Sequence, residues 1–307
     1  MQEHEYLADP DVDAFVRFLR DLTVDGCPGI ALRVGAERRA VNRLADAVDA
    51  YSWQDEPFSA IYAKLDVMRR EMRGALERCA EARGPAEKRL AELELLFVST
   101  KALSFGRLYE GAFPFLIHQA ETGVLSQNLR QAAAVLDGCR EQVDAFDDRP
   151  FRSDCAMSKV YAMMNRRTVV YDDRLGAALG LLCRLHLERE RRTAVPDALR
   201  FMVGEPGQPE RDPSDGSFRF TEKRAGREHA RWNLRATWIV SRLAADPELA
   251  ARMGGGARER IRRIEAALFM IGENVADQLR AVSPPARAAR RVVVPISSWR
   301  GGKRSSR

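Results

Sequence analysis

Apolar residues recur every three or four positions along most of this chain, the spacing of helices that bury one face. The runs DAFVRFLRDL (13–22), AVNRLADAVDAY (40–51), FSAIYAKLDVMRREMRGALERCAEA (58–82) and AEKRLAELELLFVSTKAL (86–103) all carry it. Pro57 precedes the third run and Gly84-Pro85 the fourth, each a natural break between helices. Next, PFLIHQAETGVLSQNLRQAAAVLDGCREQVDAF predicts two helices divided at Gly123. SKVYAMMNRRTVVYDDRLGAALG (158–180) reads as a short helix, a loop, an extended apolar run and a long helix to about Glu190. A polar loop follows, with FRF (218–220) as its one short strand candidate. Helical spacing resumes at HARWNLRATWIVSRLAA (229–245), PELAARM and ARERIRRIEAALFMIGENVADQL. The pattern predicts a mostly α protein with few or no strands, about ten helices in one compact body. The body spans 1–283, compatible with a subdivision near 123–150, and a flexible tail (284–307) follows Ser283-Pro284-Pro285.

Composition narrows the class. The chain has 307 residues, 45% of them hydrophobic, enough for a sizeable core. No run reaches membrane-spanning length, and the acidic start MQEHEYLADPDVD lacks the blocks of a signal peptide. A cytoplasmic protein is the expectation. Five scattered cysteines without a C-x-x-C pair read as buried free thiols. No zinc-spaced Cys/His cluster, phosphate loop or dinucleotide fingerprint is present, so no metal or cofactor is expected. The formal charge of +6 is unevenly spread. Residues 286–307 hold seven basic side chains and no acid, which leaves the preceding 285 residues at −1. Such a tail suits a phosphate backbone. Within the body, the most basic segment is 223–235, with Lys223, Arg224, Arg227, Arg231 and Arg235 moderated by Glu228.

Candidate chemistry centres on one lysine and two aspartates. Ser153 or Asp154 can cap the helix bearing Lys159, Asn165-Arg166-Arg167 makes a turn, and Asp172 can cap the next helix. A carboxylate at that cap accepts backbone N–H bonds and feels the positive helix end, which favours its ionised form. The small residues Gly176, Ala177, Ala178 and Gly180 allow another backbone close by. Taken alone, these features also fit a plain helix cap and a surface lysine.

MSKVYAMM followed by VVYDDRLGAAL resembles a segment of the helix-hairpin-helix DNA glycosylase superfamily, especially bacterial proteins with the 8-oxoguanine glycosylase fold. The resemblance implies a DNA glycosylase that excises a damaged or modified base by base flipping, a modified base of phage DNA included. It implies that Lys159 matches the family's nucleophilic lysine and Asp172 its essential carboxylate, with Arg174 adjoining. Candidate walls for the flipped base are Tyr171, Phe220, Trp232 and Trp238, with His229 and Asn233 placed to read it. Arg166, Arg167, Arg174, Arg231 and Arg235 are the candidate DNA contacts; Lys101, Arg107 and His118 are weaker. DNA is the expected partner, and the oligomeric state is open. Two other readings stand beside this one. One is a non-enzymatic helical module that binds nucleic acid through its tail, with Asp172 only a cap. The other is an assembly subunit pairing through helices 58–103.

Overall fold

A computed structural model describes residues 1–27, 32–34, 39–105, 110–147, 150–204 and 209–282. The chain opens with α1 (Glu3–Leu7) and α2 (Pro10–Val24). Asp9 accepts from the Asp11 and Val12 N–H groups and Pro10 takes the first helical position, so the start of α2 is fixed locally. Two small hairpins follow, β1 (Leu32–Val34) with β2 (Arg39–Val41) and β3 (Ser52–Trp53) with β4 (Glu56–Pro57), and α3 (Leu44–Asp49) lies between them. The helix expected over 40–51 is thus split. Its first residues complete a strand pair, and only 44–49 keep the helical turn.

The long helices α4 (Phe58–Glu81) and α5 (Pro85–Ser104) form an antiparallel hairpin, broken by Gly84 at φ +85° and restarted by Pro85. Arg78–Glu94 and Lys101–Glu71 pairs join their exposed faces. Next come α6 (Phe113–Glu121), α7 (Leu125–Leu136), α8 (Cys155–Met164) and α9 (Asp173–Arg189). The last helices are α10 (Arg227–Ala244), α11 (Pro247–Met253), α12 (Ala257–Ile271) and α13 (Val275–Val282). The apolar spacing at 257–279 reads as one helix, but the backbone breaks at Gly272. A Cβ on Gly272 would stand 1.8 Å from the Arg174 carbonyl oxygen, so the end of α12 rests directly on the start of α9. Gly176 has the same use: its Cβ would meet the Met202 carbonyl oxygen at 2.2 Å. FRF forms no strand; Phe218 makes a single bridge to Asp215. Buried apolar side chains from Tyr6 to Val275 form one connected core, which crosses the proposed division near 123–150. Of the five cysteines, Cys27, Cys155 and Cys183 are buried, whereas Cys139 is exposed, a departure from the all-buried expectation.

Helix α8 packs on α4, α5 and α7, while α9 packs on α12 and α2. The irregular segment joining them, 165–172, therefore runs through the middle of the molecule. It has no strand partner, so side chains satisfy its backbone. The Asn165 amide donates to the Ala133 carbonyl and the Thr168 hydroxyl to the Leu136 carbonyl, tying the segment to α7. From α10, the Thr237 hydroxyl accepts from Val169 N–H at 3.2 Å, and His229 Nε2 donates to the Tyr171 carbonyl at 3.0 Å. From α12, Glu265 accepts from Val170 N–H at 3.2 Å, and Arg262 donates to the Thr168 carbonyl at 2.5 Å. Arg262 and Glu265 also pair with each other at 2.6 Å. An unpaired buried backbone group costs about 1–3 kcal/mol, which explains so many polar side chains in an otherwise apolar core.

A carbonyl oxygen only accepts, so His229 carries its proton on Nε2 and takes the Ser153 hydroxyl hydrogen on Nδ1 at 2.8 Å. Burial lowers the His229 pKa to about 4, against about 6.5 in an unfolded chain. Between those values the unfolded chain binds the extra proton, so this contribution is intact above about pH 6.5 and lost as pH falls toward about 4. Denaturant midpoints measured from pH 7 to pH 4.5 are expected to fall more steeply for the native chain than for His229→Gln. Equal slopes would contradict a neutral, buried His229.

Candidate active site

Two oppositely charged residue types belong to the helices that the clamped segment joins, Lys159 within α8 and Asp172 at the cap of α9. Asp154 caps α8 by accepting from Met157 N–H at 2.8 Å, and Lys159 leaves this helix one turn later. Asp172 caps α9, its Oδ1 accepting from the Arg174 and Leu175 N–H groups at 3.1 and 2.9 Å. Lys159 and Asp172 are both half-buried, and both line one cavity of about 200 Å³. Space of this size is below the usual range for drug-sized ligands and suits a single planar ring system.

The walls are largely apolar and aromatic. Ile61, Leu65 and Met68 of α4 form one side, Phe105 and Met163 another, and Ala266 and Phe269 of α12 a third. The β3–β4 hairpin carries Trp53 to the rim. Its turn residues Gln54 and Asp55 adopt φ of 52° and 62°, the left-handed geometry of a tight two-residue turn made without glycine. Such residues cost of order 1 kcal/mol each and persist where the surroundings hold them. Here the holding contacts are aromatic. Trp53 meets Phe269 edge-on with centroids 4.9 Å apart, and Tyr51 lies 6.1 Å from both Phe58 and Phe269. The Arg174 guanidinium lies over Phe269 at 4.3 Å and Trp53 at 5.3 Å, and pairs with Glu273 at 3.3 Å.

The two neighbouring aspartates have different surroundings. Asp173 is held by Lys223 at 2.9 Å and Arg211 at 3.7 Å, and accepts from the Cys155 thiol. Asp172 shares the cavity with Lys159, close enough for each charge to act on the other. Burial pushes the Asp172 carboxyl above its ordinary pKa, against the opposing pull of the Leu175 N–H, Arg174 and Lys159. Burial likewise pulls Lys159 below the ordinary lysine value, with Asp172 opposing. Lys159 Nζ donates to the Phe105 carbonyl at 2.8 Å, which directs the amine along the cavity wall. Glu265 is a third carboxyl lining the cavity beside Asp172 and Asp173, with its own pKa raised by burial and restrained by Arg262. Its bonds to Arg262 and Val170 commit it to the clamp.

The other site candidates lie elsewhere. Tyr171, His229, Trp232 and Asn233 do not line the cavity; all four are buried in the core. Tyr171 donates to the Met202 carbonyl, and Trp232 donates to Glu228 and packs on Phe201. Asn233 accepts from Thr237. Trp238 is also core, donating to the Gly138 carbonyl, and Phe220 packs near Gly180. The aromatic walls come instead from Tyr51, Trp53, Phe58, Phe105 and Phe269. Nor do Arg231 and Arg235 present a free basic surface, because both bond to Glu141, and Arg235 stacks on Tyr6 and Trp232. Burying these arginines requires that partnership. Arg167 is taken up by Glu3 and Asp137, whereas Arg166 is exposed. Lys101 pairs with Glu71 on the surface. Arg107 and the basic tail lie outside the described residues.

Among the described residues, no group of three or more His, Cys, Asp or Glu could hold a metal ion, and no helix is long and apolar enough to cross a membrane. Compared with protein-family models, curated proteins and solved structures, the chain finds no match.

The cap itself has a measurable value. Asp172→Ala is expected to cost about 1 kcal/mol in denaturant unfolding, since two N–H groups lose their acceptor, while Asp172→Asn costs only a few tenths. An Ala variant as stable as the native chain would contradict the cap geometry.

Proposed function

We propose that this chain is a DNA glycosylase that excises a damaged or modified base from DNA. The supporting observation is that Asp172 and Lys159, the two residues singled out by the glycosylase-like segment, line one aromatic-walled cavity of about 200 Å³. A base turned out of the helix gives up stacking worth a few kcal/mol and regains it against aromatic faces. Trp53, Phe269 and Phe58 supply such faces, and the Arg174 guanidinium now lies against two of them. A base entering the cavity takes the position of that guanidinium.

Cleavage of the base–sugar bond sends the bonding electron pair to the departing base, which is protonated, and leaves positive charge on the sugar ring. An ionised Asp172 in a poorly hydrated cavity stabilises that charge. C1′ then accepts one of two nucleophiles. Water, deprotonated by Asp172, gives an abasic site. The Lys159 amine, whose desolvation increases its neutral fraction, gives a Schiff base after the ring opens, and strand nicking can follow.

The test is to incubate the full chain with duplexes carrying a panel of damaged and modified bases, and with phage DNA containing modified bases, and count abasic sites. Release of at least one base is expected. Borohydride then reports the nucleophile: a trapped adduct on Lys159 marks the amine route, and abasic sites without an adduct mark the water route. No base release across the panel would overturn the enzyme reading.

A further inference from the structure

One turn along α4 from the cavity lies a cleft with a different character. Arg69 and Arg73 of α4, Arg166 of the α8–α9 turn, and Arg258 of the first turn of α12 line a space of about 350 Å³. An adjoining space of about 450 Å³ shares all four and adds Arg167 and Ala257. Few acids balance this group. Asp66 binds Arg69 and Arg70, and Arg167 is taken up by Glu3 and Asp137. Among the described residues, Arg73, Arg166 and Arg258 make no close ion pair, Asp66 and Asp137 acting on Arg258 and Arg166 only from a distance, and the Arg69 Nε is buried without an acceptor. Burial, together with Arg262 and Arg69 nearby, lowers the Arg258 pKa to about 10. Keeping several guanidinium groups together with so few counter-charges is unfavourable unless a further anion joins them.

We infer that this four-arginine cleft is a binding site for the phosphodiester backbone of a nucleic acid. Guanidinium groups bind phosphate through paired N–H donors, and the α12 amino end adds its own positive dipole beside Ala257. Position favours a strand over a small anion. Met163 forms a wall of both the cleft and the Asp172 cavity, and α4 and α12 run along both. Along α4 the lining passes from Met68 in the cavity to Arg69 in the cleft, so a strand whose base enters the cavity carries its flanking phosphates toward the arginines. The choice of nucleic acid deepens the glycosylase reading and rests on it.

The experiment measures binding of the full chain to unmodified single- and double-stranded DNA by fluorescence anisotropy at several salt concentrations. Exposed Arg73 and Arg166 are the residues to change, because their loss leaves the buried contacts intact; thermal unfolding checks this. Arg73→Gln with Arg166→Gln is expected to weaken binding uniformly across sequences and lower the log–log salt slope by about 2. The control is Arg17→Gln with Arg192→Gln, which removes the same charge from exposed positions elsewhere and leaves the slope unchanged. An unchanged slope in the cleft variant overturns the proposal, as does arginine-dependent binding of inorganic pyrophosphate without binding of DNA. The two readings fail separately. A chain that releases bases yet ignores Arg73 and Arg166 refutes the cleft alone; one that binds through them yet releases no base refutes the enzyme alone.

Discussion

The organisation of this molecule depends on eight residues that cross its interior without a strand or helix of their own. Segment 165–172 must pair its backbone with something, and α10 and α12 supply that something in four side chains. Thr237, His229, Arg262 and Glu265 take up consecutive donors and acceptors from 168 to 171. Each is an expensive residue to bury alone and an economical one when bonded. The consequence is positional: once the segment is fixed, so are the two helices it joins, α8 with Lys159 in its middle and α9 with Asp172 at its cap.

That constraint explains the polar residues on α10, which read from sequence as a base-contacting face. His229 and Asn233 fall within a helix that is mostly apolar or basic, and their placement signals a hydrogen-bonding duty. The duty is internal. His229 holds the Tyr171 carbonyl, and Asn233 supports Thr237, which holds Val169. A buried side chain bonded to buried backbone and one aimed at a ligand leave the same trace in a sequence. What separates them is where the neighbouring segment runs.

Local signals carried much of the rest. Pro57 and Gly84-Pro85 mark helix starts at their true places, and the Asp172 cap was legible because capping needs only neighbouring residues, while of the two candidates Ser153 and Asp154 it is Asp154 that caps α8. The aromatic walls were not. Trp53 reaches the cavity through a two-residue turn built from Gln54-Asp55, which lacks the usual glycine signal, and Phe269 is one more apolar residue in a helical stripe. The break at Gly272 was hidden as well, since its cause is the distant Arg174 carbonyl. Likewise, the arginines that gather in the cleft come from three separated stretches of chain, whereas the obvious basic run at 223–235 is largely neutralised by Glu141, Glu228, Asp144, Asp147 and Asp173.

Charge at position 172 is where the fold and the proposed chemistry meet. An amide there accepts the same two N–H bonds and keeps the helix start, but it cannot offset positive charge on a sugar or take a proton from a nucleophile. Base release by Asp172→Asn, compared with the native chain on the same DNA, is therefore the most direct measurement. A loss of at least about 100-fold with thermal stability unchanged is the result this account requires. Full activity in the amide variant would contradict it.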